Sequence, residues 1–150
     1  MTEERRPWRK FELRTDPTGE TLVDARRTDG GDWEWWTWAN GSPTPSGIMG
    51  PAEFRMLYRR HRLSEIGLRP VTSSNIRAVG YDEATWQLLI EFSGGPVYLY
   101  DDVEPLVAAP LAAAAVRPPD EFSVGQYFSE HIKPHRDRYP FVKLDAAMPV

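Results

Sequence analysis

The segment from Val71 to Tyr100 constrains the fold of this 150-residue chain most tightly. It contains three runs rich in β-branched, aromatic and aliphatic residues, separated by two turn-forming sequences at Asp82–Thr85 and Ser93–Gly95. Apolar residues recur at every second position from Trp86 to Phe92, which is typical of a strand with one face on a core. Because such short connections join neighbouring antiparallel strands, the segment predicts a three-stranded meander.

Helical signals follow the meander. Ser123 and Gln126 have the spacing of a capping box, which predicts a helix from Val124 to Lys133. Pro134 should stop this helix, because the residue before a proline is disfavoured in the helical conformation. The basic and aromatic tail from His135 to Leu144 is predicted to be extended.

The first half predicts a separate small unit. Side chains that alternate in character predict strands at Trp8–Leu13, Thr21–Arg27 and Asp32–Trp38. Many glycines, prolines and serines predict a loop at Asn40–Gly50. Pro51 should open a helix that reaches Arg62. We therefore expect an α+β protein with a Trp-rich sheet-plus-helix unit at residues 1–68. A meander packed with C-terminal helices should occupy residues 69–150.

Composition limits the classes of function. The chain has no cysteine, which excludes disulfides, thiolate metal sites and thiol nucleophiles. It has no apolar run long enough to span a bilayer and no secretory signal, so we expect a cytoplasmic protein. Residues 71–116 hold six acidic side chains and one basic side chain, whereas nucleic-acid binders usually carry a basic stripe.

The second half contains a series of short motifs in a fixed order, and one of them is a Tyr-x-Tyr pair at Tyr98 and Tyr100. The motifs are Val71-x-Ser73-Ser74-x-Ile76, Val79-Gly80-Tyr81-Asp82, Leu89-Ile90-x-Phe92, Gly95, Tyr98-x-Tyr100, Val103, Ser123-Val124-Gly125-x-Tyr127-Phe128, Ile132 and Tyr139-Pro140. In these residues the segment at about 69–144 resembles the KTSC domain, a module of about sixty residues named for its occurrence at the C-terminus of some lysyl-tRNA synthetases. The chain departs from the family pattern at Pro110, which should break or kink a helix, at an apparent insertion over Pro118–Phe122, and at Ser129, where an asparagine is common.

The resemblance implies RNA binding, an activity suggested for the family by its association with the synthetase. Tyr98 and Tyr100 share one face of a strand, where they form either a stacking platform for unpaired bases or packing partners beneath the helix at Val124–Lys133. Their acidic neighbours favour packing, so the basic helix from Pro51 to Arg62 and the tail after Pro134 are the first places to seek a phosphate-binding surface. The candidate nucleic-acid contacts are Tyr98, Tyr100, Arg55, Arg59, Arg62, Lys133, Arg136 and Arg138.

A protein partner is the alternative. The family also occurs as stand-alone bacterial and phage proteins, so the resemblance implies an interaction factor from a phage or mobile element that acts on a host protein. Indoles on both faces of one strand indicate that one face packs in the core and the other contacts another domain or a partner protein. The candidate partner contacts are Trp33, Trp35, Trp36 and Trp38.

Catalytic and metal signals are weak. Ser73-Ser74-Asn75 has no adjacent base and predicts a hydrogen-bonding cluster at a strand entry. His131 and His135 have the spacing of a helical metal pair, but Pro134 separates them. We therefore expect a non-catalytic binding module without a metal or other cofactor.

Overall fold

A computed structural model describes residues 6–39, 42–114 and 122–144. The chain divides into two compact units, Met1–Leu63 and Ser64–Val150. Each unit contains one five-stranded antiparallel sheet, and three α-helices lie in the described ranges. The expected α+β class is therefore confirmed. No helix in these ranges is both long and apolar enough to cross a membrane.

The first sheet surrounds an aromatic core. Its strands have the order β4-β3-β2-β1-β5, with each neighbouring pair antiparallel. The Trp33 ring stacks on the Phe54 ring with centroids 4.1 Å apart, and Phe11 meets both rings edge-on. The elements are β1 Arg9–Leu13, β2 Leu22–Arg27, β3 Trp33–Ala39, β4 Ser42–Met49, α1 Pro51–Leu57 and β5 Tyr58–Arg60.

The loop predicted at Asn40–Gly50 is wrong, because Ser42–Met49 forms the edge strand β4. Pro43 and Pro45 lie opposite Trp38 and Trp36. A proline cannot donate to a ladder, but an edge strand has one side on which no donor is required. The proline-rich composition that predicted a loop is therefore compatible with pairing at the edge.

The helix predicted from Pro51 to Arg62 is also wrong in its second half. It ends at Leu57, and Tyr58 adopts an extended conformation that starts β5. Pairing with β1 causes the switch, since Arg60 lies opposite Phe11 and is buried. The basic stripe expected on one helical face therefore does not form.

The second sheet contains the predicted meander and two additional edge strands. A 3₁₀ turn at Leu63–Glu65 precedes it, and its strands have the order β10-β9-β8-β7-β6. The elements are β6 Arg69–Pro70, β7 Ile76–Asp82, β8 Gln87–Phe92, β9 Val97–Tyr100, α2 Pro105–Ala112, α3 Val124–His131 and β10 Phe141–Lys143. The tail predicted to be extended thus supplies β10, which pairs with β9.

Helix α2 continues through Pro110, so the break predicted there is wrong. Tyrosine hydroxyls hold the helix to the rest of the unit. Tyr127 donates a hydrogen bond to the carbonyl of Val107 within α2, and Tyr81 donates to the carbonyl of Val103, just before the helix starts, both at 2.6 Å. These tertiary bonds stabilise a helix that lacks one internal hydrogen bond.

Helix α3 begins as its capping box predicts. The Ser123 hydroxyl accepts a hydrogen bond from the backbone N–H of Gln126 at 3.2 Å. The insertion predicted at Pro118–Phe122 lies, apart from Phe122, outside the described residues. Phe128 and Ile132 project from α3 and the turn after it into the core of the unit.

Candidate ligand-binding site

Aromatic side chains cover one face of the second sheet beside its β10 edge. Tyr98 and Tyr100 stack with centroids 6.5 Å apart, as two residues on one face of β9 should. Phe141 lies opposite Tyr100 across the β9–β10 ladder, so its ring joins the same face. Its centroid is 5.3 Å from Tyr100 and 5.6 Å from Tyr98.

Helix α3 covers part of this aromatic face. The buried ring of Phe128 meets Tyr100 edge-on at 5.6 Å. Tyr100 is only 5% exposed, whereas Tyr98 is half-buried and Phe141 is 36% exposed. The tyrosine pair therefore combines the two roles considered for it, because one ring packs beneath α3 while the other remains partly accessible.

The space beside these rings is a cavity of about 310 Å³, here called the aromatic cavity. Two cations from the turn after α3, Lys133 and Arg136, line it together with the rings. The Arg136 guanidinium carbon lies 5.7 Å from the centroid of the Phe141 ring, within cation–π range. The lining residues are Asn75, Phe92, Pro96, Tyr98, Tyr100, Phe128, Ser129, Lys133, Arg136 and Phe141.

The local charge is positive although the surrounding sequence is acidic. Within the part of the chain that the structure describes, no carboxylate lines the aromatic cavity. Glu91 pairs with Val97, so its side chain leaves the sheet on the face opposite Tyr98. Lys143 pairs with Tyr98, so it leaves on the same face and adds a third exposed cation.

Burial extends the pH range over which the Tyr100 hydroxyl stays protonated. Loss of water around the ring, together with the neighbouring Tyr98, raises the pKa of Tyr100 to about 12, and Arg136 offsets only part of this rise. Tyr100 is neutral at physiological pH, as an ordinary tyrosine is, and stays neutral in more alkaline solution.

A second cavity of about 470 Å³ adjoins the first and is here called the polar cleft. Asn75 and Ser129 line both cavities. The Ser73 hydroxyl donates to Asn75 Oδ1 at 3.1 Å, so the hydrogen-bonding cluster predicted at the entry to β7 is present. The lining residues are Thr72, Ser73, Ser74, Asn75, Phe122, Ser123, Val124, Gly125, Gln126 and Ser129.

One family model identifies this unit, and two relatives are similar to part of the chain. A family model described as the KTSC domain matches residues 72–139. A protein of Tsukamurella paurometabola is 40% identical over 67 residues, which cover 45% of this chain and 90% of that protein. An uncharacterised protein of Stutzerimonas stutzeri is 37% identical over 67 residues, which cover 45% of this chain and 84% of that protein. The chain belongs to the KTSC domain family.

Most of the site lies inside the matched KTSC range. Both cavities are lined by residues from that range, except that Phe141 of β10 follows its last residue, Tyr139. The Ser-x-Gly element of the motif has a physical explanation, because Ser123 caps α3 and Gly125 faces Asn75 at close range.

Arg138 belongs to a different cluster of the KTSC unit. Its guanidinium donates to one oxygen of Glu104 at 2.7 Å, and the Tyr139 hydroxyl donates to the other oxygen at 2.7 Å. Burial alone would raise the pKa of Glu104, but these two hydrogen bonds lower it below its usual value. Arg138 is thus engaged in an ion pair and is absent from the cavity lining.

The three arginines predicted on one helix lie outside the KTSC unit and on different elements. Arg55 is on α1, Arg59 is on β5, and Arg62 follows β5. Arg59 donates to Glu12 at 2.6 Å, and His61 contacts the second Glu12 oxygen at 2.9 Å. These arginines therefore do not form the stripe that the sequence predicted.

The tryptophans separate into core and surface positions. Trp33 is 2% exposed, which corrects its assignment as a partner contact, because a partner cannot reach it in the folded unit. Trp35 packs against the same core. Trp36 meets Trp8 edge-on at 5.4 Å and stays half-buried, while the side chain of Trp38 lies outside the described atoms.

Sequence reasoning missed Asn75, Ser129 and Phe141 as residues of the cavities. The alternation of Phe141 and Lys143 in the tail could have identified a strand. The polar pair gives no comparable signal, because Asn75 and Ser129 meet only through the packing of α3. Within the described ranges, no group of three histidine or acidic residues is placed to hold a metal ion.

Proposed function

We propose that the KTSC unit is a non-catalytic module that binds single-stranded nucleic acid, RNA in the first place, in the aromatic cavity. The observation that supports this most strongly is the meeting of Tyr98 and Tyr100 with Lys133 and Arg136, which lie more than thirty positions away in the sequence.

The cavity offers complementary chemistry to both parts of a nucleotide. An unpaired base would stack on the accessible rings of Tyr98 and Phe141, and such a stack contributes roughly 1–3 kcal/mol per base. The phosphate would lie against Lys133 and Arg136, which are both exposed. The base and the phosphate therefore have separate partners on adjoining walls.

The net charge of −4 does not weigh against this role. Exposed charges are largely screened beyond about 8 Å at physiological salt, so the charges nearest the ligand dominate. Those charges are the two cations of the cavity and Lys143 on the same face of the sheet.

Binding without chemistry fits the lining residues. The hydroxyl of Ser129 has no histidine or carboxylate beside it among the residues that line the cavity. The remaining groups are rings, an amide and cations, which orient a ligand without activating a nucleophile. Cellular RNA is met in the cytoplasm, where we propose that the protein acts.

Salt dependence provides the first test. Mixed-sequence single-stranded RNA and DNA should be titrated into the full chain at two salt concentrations. Two or three phosphate contacts predict that log K falls with log salt with a slope of roughly −1.4 to −2. The absence of salt-sensitive binding to either strand would contradict the proposal.

Stacking can be tested separately at Tyr98. Tyr98→Ala should weaken binding about tenfold, because it removes the accessible ring of the pair. Tyr98→Phe is the matched control and should retain binding, because it keeps the ring. Equal losses in both variants would indicate that stacking does not hold the ligand.

The second candidate function is a protein interaction through the Trp-rich sheet. Trp36 and Trp8 form a half-buried pair, and the Arg26 guanidinium lies 3.9 Å from the Trp8 ring centroid. Tryptophans are enriched at interfaces, whereas Arg26 is itself buried and paired with Glu34, so the two indoles are the groups that a partner would contact. A pull-down with the Trp36→Ala variant tests this candidate, and partner recovery equal to the unchanged protein would rule out that face.

A further inference from the structure

We infer that the polar cleft is a second subsite, which binds the ribose of the nucleotide next to the one stacked in the aromatic cavity. This inference rests on the proposed function and specifies its smallest complete ligand, a ribodinucleotide.

The two cavities adjoin each other. Asn75 and Ser129 stand on the boundary, since each lines both the aromatic cavity and the polar cleft. The volumes are about 310 Å³ and about 470 Å³. A strand whose base enters the first cavity therefore meets the second with its neighbouring nucleotide.

The chemistry of the polar cleft differs from that of its neighbour. Among the described residues, its lining holds serine and threonine hydroxyls and the amides of Asn75 and Gln126, with no charged side chain. Neutral donors and acceptors suit a neutral ligand group that is rich in hydroxyls, such as a ribose. The cations of the aromatic cavity remain the partners of the phosphate.

Side-chain groups in the cleft are available to a ligand. Asn75 Oδ1 accepts from the Ser73 hydroxyl at 3.1 Å, which orients the amide. Within the described ranges, the Asn75 amide nitrogen and the Ser74 hydroxyl make no hydrogen bond to the protein. Asn75 and Ser74 are both exposed, so a ligand can reach them.

Ligand length and sugar type test the inference. Uridine monophosphate, the diribonucleotide UpU and its deoxy counterpart should be titrated into the isotope-labelled full chain and followed by amide chemical shifts. UpU should bind about tenfold more tightly than the mononucleotide, which corresponds to one or two added hydrogen bonds. The deoxy dinucleotide should lose most of this gain.

A double variant isolates the cleft. Ser74→Ala with Gln126→Ala removes two exposed polar side chains that line only the cleft. The Gln126 backbone keeps its bond to the Ser123 cap, and the loss of the Gln126 side-chain bond to Glu130 on the exposed face of α3 should cost little stability, so the aromatic cavity should be unaffected. This double variant should abolish the higher affinity for UpU and leave the affinity for the mononucleotide unchanged. Ser64→Ala, at an exposed serine in the 3₁₀ turn, is the matched control.

The inference and the proposed function fail in different ways. Equal affinity for UpU and the mononucleotide, or for the two sugar types, would overturn the ribose subsite. If the double variant still bound UpU more tightly than the mononucleotide, the ribose subsite would also be overturned. In each case the proposed function would stand if mononucleotide binding were lost on Lys133→Glu with Arg136→Glu. No binding of any nucleotide would overturn both.

Discussion

Asn75 lies so close to Gly125 that a Cβ added to Gly125 would stand 2.6 Å from Asn75 Oδ1. Real Cβ atoms essentially never approach another atom this closely, so either Asn75 or α3 would have to move. The glycine at the second position of α3 thus lets the helix approach the strand entry and form the wall between the two cavities.

Gly125→Ala should therefore impair ligand binding more than it impairs folding. We expect a loss of stability of about 1–2 kcal/mol, because Asn75 is exposed and can partly move away. We also expect nucleotide affinity to fall about tenfold or more as Asn75 leaves the boundary of the cavities. Chemical denaturation and ligand titration measure the two effects.

Gly67→Ala is the matched control for that variant, because an added Cβ there meets nothing within 4 Å. Its stability should change by less than about 0.5 kcal/mol and its ligand affinity should remain unchanged. If Gly125→Ala behaved like the control, the close packing of Asn75 against α3 would be contradicted.

Gly80→Ala should be more damaging to the fold. A Cβ on Gly80 would stand 2.6 Å from the backbone oxygen of Gly67, and backbone cannot move aside as a side chain can. We expect a loss of about 3 kcal/mol in the free energy of unfolding, at the upper end for overpacking. Urea unfolding measures this loss, and a loss below that of Gly125→Ala would contradict the ranking.

Acid should weaken the attachment of α2 through Glu104. Hydrogen bonds from Tyr139 and Arg138 hold the pKa of Glu104 below its usual value of 4.5, although burial opposes them. A carboxyl with a lowered pKa in the folded state contributes stability above its unfolded pKa, and this contribution is lost as the pH falls through the folded pKa. Tyr139→Phe removes one of the two donors.

We expect Tyr139→Phe to cost about 1 kcal/mol at neutral pH, because a hydrogen bond to a carboxylate is lost. The gap between the variant and the unchanged protein should begin to narrow as the pH falls below 4.5 and should close as the pH passes the lower pKa of Glu104 in the folded protein, where the carboxylate becomes protonated. Denaturation at neutral and acid pH measures the gap. A gap that stays constant with pH would contradict the role of the Glu104 charge.

Reversal of charge at Arg55 and Arg62 should leave nucleic-acid binding nearly unchanged. Both residues are in the first unit, and they are not aligned on one helix because α1 ends at Leu57. We expect Arg55→Glu with Arg62→Glu to change the affinity for single-stranded RNA by less than about threefold, since no phosphate contact is lost. Fluorescence anisotropy measures the affinity, and a larger loss would mean that the ligand also contacts the first unit.

Turn residues, alternation and helix caps predicted those elements whose conformation depends on residues close in the sequence. Ser93–Gly95 and the alternation around Leu88 and Ile90 are sufficient to specify the meander, and the Ser123 cap specifies the start of α3. Strand β4 was missed because its prolines indicate a loop until the edge position of the strand is known. The end of α1 was missed because pairing with β1 overrides the helical pattern at Tyr58.

The candidate site could be predicted only in separate pieces. Side chains alternate between the two faces of a strand, which predicts that Tyr98 and Tyr100 share a face. The basic composition of the tail predicts Lys133 and Arg136 as phosphate contacts. Their meeting depends on the packing of α3 over β9 and on the β9–β10 ladder, and both are contacts between residues distant in sequence. For the same reason the local charge of the cavity could not be obtained from the acidic composition of its surroundings.

The central claim is tested most directly by the affinity of the full chain for single-stranded RNA with and without the two cavity cations. Lys133→Glu with Arg136→Glu should reduce the affinity at least tenfold and reduce the salt slope by about 1.4, whereas Arg69→Glu, at an exposed position on the opposite edge of the same sheet, should change neither by much. Binding that is equal in the double variant, the control and the unchanged protein would contradict the aromatic cavity as the nucleic-acid site.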